Sequence, residues 1–278
     1  MNSNILLINC PDQSGLVFKV THILYTKYGL NVISNAEFVE RNYQHFFMRT
    51  EFSGEFDRKS LLKDLYEALP DDVTITLTDR RKKDIILLAT KEHHCLSELL
   101  IRHAFNELNA CILCVVSNYN VLEDLTRKFD IPFHHISHEG LSREEHEAAV
   151  LEIIAPYNPE LLVLAKYMRI LSNHFIQHFT NRIINIHHSF LPAFIGANPY
   201  AQAYERGVKI IGATAHFVSQ ELDQGPIIAQ NVIPVDHTYS AKEMAQAGRD
   251  VEKNVLAKSL KLVLNERVFV YNNKTIIF

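Results

Sequence analysis

Cysteine is scarce in this chain. Four residues among 278 cannot supply the disulfide framework of a small secreted domain. Cys111 and Cys114 have C-x-x-C spacing, but they fall in an apolar run over residues 111–117. In a strand, positions three apart face opposite ways, so the two sulfurs do not converge on a metal or a redox bridge. Cys95, just after His93 and His94, is placed to start a helix; it is the better candidate for a reactive thiol, although a buried structural thiol is the stronger reading. An excess of one charge is also missing. Twenty-eight basic against 32 acidic residues leave a net charge of −4, too weak a field to hold DNA, RNA or an anionic membrane surface. No apolar run approaches the roughly 18–20 residues of a membrane span, and no basic leader precedes the first strand-like run. A soluble, cytoplasmic protein is therefore expected. Neither G-x-G-x-x-G nor a P-loop occurs, which removes the dehydrogenase and kinase classes. What is present is 47% hydrophobic residues, enough for one large core or two modest ones.

Two segments of different rhythm flank a charged run. Residues 1–80 read β-α-β-β-α-β: a strand at 5–9, then Leu16, Val20, Ile23 and Leu24 at helical spacing, stopped by Gly29. Paired strands follow at 31–40 and 45–52 about a turn at 41–44, then a helix at 60–69 and a strand at 73–77. This order is the ferredoxin-like arrangement. Residues 81–84, within Asp79-Arg80-Arg81-Lys82-Lys83-Asp84, are expected to be a solvated linker. From 85 to 278, strands at 85–89, 111–117, 132–136, 161–165 and 183–187 alternate with helices at 94–106, 121–129 and 144–154. Continuous apolar strands between amphipathic helices predict an α/β, Rossmann-like domain with a mainly parallel sheet. A last long helix starts at Ser240 with Glu243 three residues on, a capping box, and two short strands near 267–271 and 275–278 follow it.

The richest stretch is 185–225. Asn185 and His187 leave the strand at 183–187 on the same face, because side chains two apart share a side. A carboxamide that can donate to an oxyanion thus sits beside an imidazole that can move a proton. Asp223 arrives from a later loop, where it can orient or charge that imidazole. His188 and His216 read as pocket-wall or core histidines. The segment after the strand at 161–165 holds Met168, Arg169, Ile170 and Leu171, also at the carboxyl end of a strand, where open α/β sheets collect ligands.

Three separated pieces, IINIHHSFLPAF, GATAHFV and LDQGPIIAQ, resemble the folate-dependent formyltransferases and hydrolases, and most of all the formyltetrahydrofolate deformylase family. The resemblance implies hydrolysis of 10-formyltetrahydrofolate to formate and tetrahydrofolate, supplying formate for purine synthesis and balancing the one-carbon folate pool. It implies Asn185, His187 and Asp223 as the catalytic set, with no metal and no cofactor. It also implies that backbone groups of Arg169 and Leu171 read the pterin edge between Met168 and Ile170. The run Pro11-Asp12-Gln13-Ser14-Gly15-Leu16-Val17 resembles the start of an ACT domain. That implies an amino-acid effector, glycine or methionine, at Asp12, Ser14 and Gly15, or an assembly module in a homo-oligomer; the plainer reading is that Asp12 or Ser14 caps a helix. Related transformylases follow their first strand with a glycine-rich phosphate loop, whereas residues 89–96 here, ATKEHHCL, contain no glycine. Water is therefore the expected acceptor. The alternatives are formyl transfer to an unphosphorylated amine, a non-catalytic folate or amino-acid sensor, and a metal hydrolase with His187, His188, His216 and Asp223 as ligands.

Overall fold

Ile5, Leu6, Leu7 and Ile8 of β1 (Asn4–Pro11) are all buried, and since successive side chains point to opposite faces, both faces of this inner strand are shielded from water. The computed structural model describes residues 3–193 and 199–278, so residues 194–198 of the stretch 185–225, including the last residue of IINIHHSFLPAF, lie outside the described residues. The chain forms two units. One comprises Met1–Arg81, Asn265–Phe269 and Ile277–Phe278, the other Lys82–Leu264 and Val270–Ile276.

In the first unit, β1 is followed by α1 (Leu16–His22), a π-helical turn (Ile23–Lys27), β2 (Asn31–Glu40), β3 (His45–Ser53), α2 (Arg58–Ala68) and β4 (Thr74–Asp79). The strands lie in the order β2-β3-β1-β4, every neighbour antiparallel. Leu16, Val20 and Leu24 share a core with Leu61, Leu65, Leu6, Ile8, Met48 and Phe52. Each such side chain contributes about 1.5–3 kcal/mol by leaving water. Two local expectations are corrected. Neither Asp12 nor Ser14 caps α1: the N-cap is Gly15 at φ 85° with no side-chain hydrogen bond, and the Asp12 N–H donates instead to the Gln44 carbonyl at 2.8 Å. The second helix starts at Arg58, before residue 60, because the Asp57 carboxylate accepts from the Ser60 N–H at 2.8 Å.

The second unit opens with β5 (Lys83–Ala89), so half of the expected linker at 81–84 is strand. Lys83 and Asp84 carry charge at a strand end while their backbone pairs. The Asp84 carbonyl accepts from the Glu160 N–H at 2.8 Å, and the Asp84 N–H donates to Glu160 Oε2 at 3.0 Å. Then come α3 (His94–Ala104), β6 (Ala110–Ser117), α4 (Glu123–Arg127), β7 (Phe133–His135), α5 (Arg143–Ile154) and a 3-10 turn (Ala155–Tyr157). They are followed by β8 (Leu161–Leu164), α6 (Asn173–His178), β9 (Ile183–His187), α7 (Pro199–Glu205), β10 (Ile210–Phe217), β11 (Ile227–Pro234) and α8 (Ala241–Leu264). The hairpin strands β12 (Val268–Tyr271) and β13 (Lys274–Ile277) end the chain order. The seven-stranded sheet runs β11-β10-β9-β8-β5-β6-β7. From β9 to β7 all pairs are parallel, whereas β10 is antiparallel to both β9 and β11. That antiparallel edge, with α6 and α7, is additional to the elements the periodicity predicts. β10 is buried over seven of its eight residues yet built largely of small or polar ones, Gly212, Ala213, Thr214, Ala215 and His216, so it lacks a strand's usual apolar signature. The capping box of α8 forms as expected: Ser240 N–H donates to Glu243 Oε2 at 2.8 Å and Glu243 N–H to Ser240 Oγ at 3.3 Å.

The chain builds outward through β6 and β7, then returns to place β8 and β9 on the other side of β5. The reversal leaves a crevice beyond the carboxyl ends of the strands. Residues 166–171 follow β8 there, and Asn185 and His187 end β9.

Candidate active site

Register fixes the first pair. Asn185 on β9 lies opposite His216 on β10, and His187 opposite Thr214. The Asn185 amide nitrogen is 3.3 Å from His216 Nε2, while His216 Nδ1 is 2.8 Å from the Phe217 carbonyl. A carbonyl only accepts, so Nδ1 carries the ring proton and Nε2 accepts from Asn185. Burial, ahead of the other influences, pushes the His216 pKa down and keeps the ring neutral. The carboxamide orientation is thus set by His216, and the amide nitrogen carries a second N–H besides the one given to the ring.

His187 Nδ1 lies 3.2 Å from Asp223 Oδ2, so its N–H points to the carboxylate and Nε2 keeps a lone pair. Nε2 is buried with no partner among the described residues, on a ring that lines the cleft. Burial works to raise the Asp223 carboxyl, but the hydrogen bond from the His187 ring outweighs it and holds the group below the usual carboxylate range. Asp223 sits at φ 56° in a tight loop. The loop closes on Gly225, where a Cβ would lie 1.8 Å from the Phe217 carbonyl oxygen; the Phe217 N–H also donates to the Pro226 carbonyl at 2.9 Å. Only glycine permits that approach. The turn after β9 is tied down too: the Leu191 N–H donates to Thr214 Oγ1 at 3.1 Å, and Gln230 Nε2 to the Leu191 carbonyl at 3.0 Å.

These three side chains line a cleft of about 310 Å³. Met168, Arg169, Ile170 and Leu171 all line it, as do Val218 and Leu222. Met168 and Ile170 are 59% and 57% exposed, as befits the rim of an open slot. The segment is fastened by the Met168 N–H donating to Thr90 Oγ1 at 2.9 Å. An apolar slot that leads to a donor, a base and a carboxylate suits a flat ring carrying a reactive carbonyl. Asp12, Ser14 and Gly15 belong to the first unit, exposed at the start of the seven-residue α1.

Sequence reasoning missed a buried polar cluster beside the cleft. Glu252 on α8 accepts from Lys166 Nζ at 3.1 Å, from His94 Nε2 at 2.8 Å and from the Tyr200 hydroxyl at 2.7 Å. Burial alone would raise this carboxyl; His94, Lys166 and Tyr200 together bring it down to about 2. Its one faint sequence signal is a glutamate on the apolar stripe of α8. The same cluster disposes of Cys95. Burial first, and the charge of Glu252 next, push its thiol well above the ordinary range, so it is no nucleophile. Burial and the neighbouring Lys166 bring His188 down to about 4, a neutral wall residue. Among the described residues, the group of His, Cys and carboxylate side chains close enough to share a metal ion is His94, Cys95 and Glu252, apart from the ligands considered from sequence.

The formyl transferase family model matches residues 83–260. A formyltetrahydrofolate deformylase of Haemophilus influenzae is 53% identical over 277 residues, spanning 100% of this chain and 99% of its own length. The Bacillus subtilis formyltetrahydrofolate deformylase is 43% identical, spanning 98% and 93%. The crystal structure of a formyltetrahydrofolate deformylase from Pseudomonas syringae superposes with a TM-score of 0.96 at 39% identity, covering 100% of this chain and 95% of that one. A glycinamide ribonucleotide transformylase from Symbiobacterium toebii reaches 0.68 at 28% identity and covers 71% of this chain and 94% of its own.

Proposed function

The chain belongs to the formyltetrahydrofolate deformylase family, and we propose that it hydrolyses 10-formyltetrahydrofolate with Asn185, His187 and Asp223 as its catalytic residues. Attack on the formyl carbon places negative charge on the formyl oxygen. The free N–H of Asn185 is positioned to receive it, a role whose loss typically slows catalysis by about 10²–10³. His187 Nε2 takes a proton from the attacking water and returns one to N10 as the carbon–nitrogen bond breaks, a contribution of about 10²–10⁴. Asp223 steadies the imidazolium that forms in between. The observation that carries this reading is the His187–Asp223 contact at 3.2 Å, with Nε2 unpartnered among the described residues on a ring that lines the cleft.

Met168, Arg169, Ile170 and Leu171 hold the pterin in this reading, Met168 and Ile170 as walls and the backbone of Arg169 and Leu171 as its polar edge. We further propose that the Met1–Arg81 unit is an ACT domain. In that role it either binds glycine or methionine at the loop of Asp12, Ser14 and Gly15 or joins copies into a homo-oligomer. The support is its β-α-β-β-α-β order with the sheet order β2-β3-β1-β4.

The test of the catalytic set is steady-state formate release by substituted enzymes. His187→Ala and Asp223→Asn are each expected to lower kcat at least about a hundredfold, with circular dichroism unchanged. Near-normal release from either folded variant would refute its assigned role.

A further inference from the structure

Building on the hydrolytic reading above, we propose that Lys166 is a specificity-determining residue: its side chain, held by Glu252, blocks the passage between the folate cleft and a second cavity and so reserves the formyl group for water.

Three features of Lys166 are unfavourable by themselves. Its backbone is left-handed at φ 63°, where glycine is at ease and a side chain is strained. Its side chain is only 8% exposed, although it ends in an ammonium. Its counter-charge must be buried as well, and the Glu252 side chain is 1% exposed. The fold compensates with a carboxylate bonded by Lys166, His94 and Tyr200 together. Backbone strain kept at a functional site points to a use for the group that bears it.

The use follows from position. Lys166, Met168 and His188 line both the cleft that holds Asn185, His187 and Asp223 and a second cavity of about 440 Å³. The second cavity is walled by His94, Tyr200, Lys242 and Arg249 among others, and has room for a small organic amine. Water, at about 30 Å³ per molecule, reaches the formyl carbon past the lysine stem, whereas a substituted amine in the second cavity does not. Without that stem the amine nitrogen bonds the formyl carbon as the bond to N10 breaks; the amine loses one proton, N10 gains one, and the products are a formamide and tetrahydrofolate.

Lys166→Gly is the informative variant, because glycine relieves the left-handed backbone while opening the passage. Full-length enzymes are incubated with 10-formyltetrahydrofolate and increasing glycinamide, and formate and N-formylglycinamide are quantified by mass spectrometry against an enzyme-free control. Wild type is expected to give formate at every amine concentration. Lys166→Gly is expected to raise the formamide-to-formate ratio at least tenfold, and Lys166→Met, which keeps the bulk, to stay within about threefold of wild type. The proposal is overturned if folded Lys166→Gly yields no more formamide than wild type, or if Lys166→Met yields as much as Lys166→Gly. Lys166→Ala is read by the same criteria if the glycine variant does not fold. A wild type that releases no formate would instead defeat the hydrolytic reading, so the two failures are distinct.

Discussion

A neutral His216 decides how the Asn185 carboxamide is presented. With its proton committed to the Phe217 carbonyl, the ring offers Asn185 only an acceptor, so the amide nitrogen, not the amide oxygen, is drawn to it. His216→Phe keeps the buried ring but removes the acceptor, and the carboxamide is then free to turn over. Its kcat is expected to fall about 10- to 100-fold, toward the loss of an oxyanion donor, while KM changes less than about threefold. His216→Gln, whose amide oxygen can accept from Asn185, is expected to recover part of the rate. A loss confined to KM would show that His216 shapes the cleft and does not orient Asn185. Asp223 belongs to the same residue-scale logic, since its conformation depends on Gly225 passing against the Phe217 carbonyl.

α8 carries a glycine in its interior, a choice that ordinarily costs about 0.5–1 kcal/mol relative to alanine. At Gly248 a Cβ would lie 2.0 Å from the Tyr200 hydroxyl, so the missing side chain is the slot through which Tyr200 reaches Glu252. Gly248→Ala is therefore expected to destabilise the wild type in urea unfolding. In a Tyr200→Ala background the same change is expected to stabilise by about 0.5–1 kcal/mol; a stabilising effect in both backgrounds would contradict the steric account. This element also marks the limit of sequence legibility. The stripe of Met244, Val251 and Val255 and the box of Ser240 and Glu243 are local signals, written at helical spacing, and they are readable. Asn185 and His187 are readable for the same reason, two residues apart on one strand. The meeting of Gly248, Tyr200, Glu252, Lys166 and His94 is not, because it joins residues up to 158 positions apart through three dimensions. β10 escaped for a different reason: its small and polar residues pack under α8 without an apolar alternation to betray them.

The topology of the seven-stranded sheet explains why these pieces converge. Reversal of strand order about β5 opens the crevice, β8 and β9 deliver residues 166–171 and 185–187 into it, and the antiparallel β10 backs Asn185 and leads to the Asp223 loop. Among the described residues no helix is long and apolar enough to cross a membrane. In the proposed reaction this arrangement passes the formyl group to water with side chains alone. The decisive measurement is turnover of 10-formyltetrahydrofolate in ¹⁸O-labelled water, with a metal chelator present and no amine acceptor. One formate per tetrahydrofolate is expected, with a single labelled oxygen in each formate and a rate unaffected by the chelator. Formate that appears only when an amine is supplied, or a rate lost to the chelator and restored by a divalent metal, would refute hydrolysis by side chains alone.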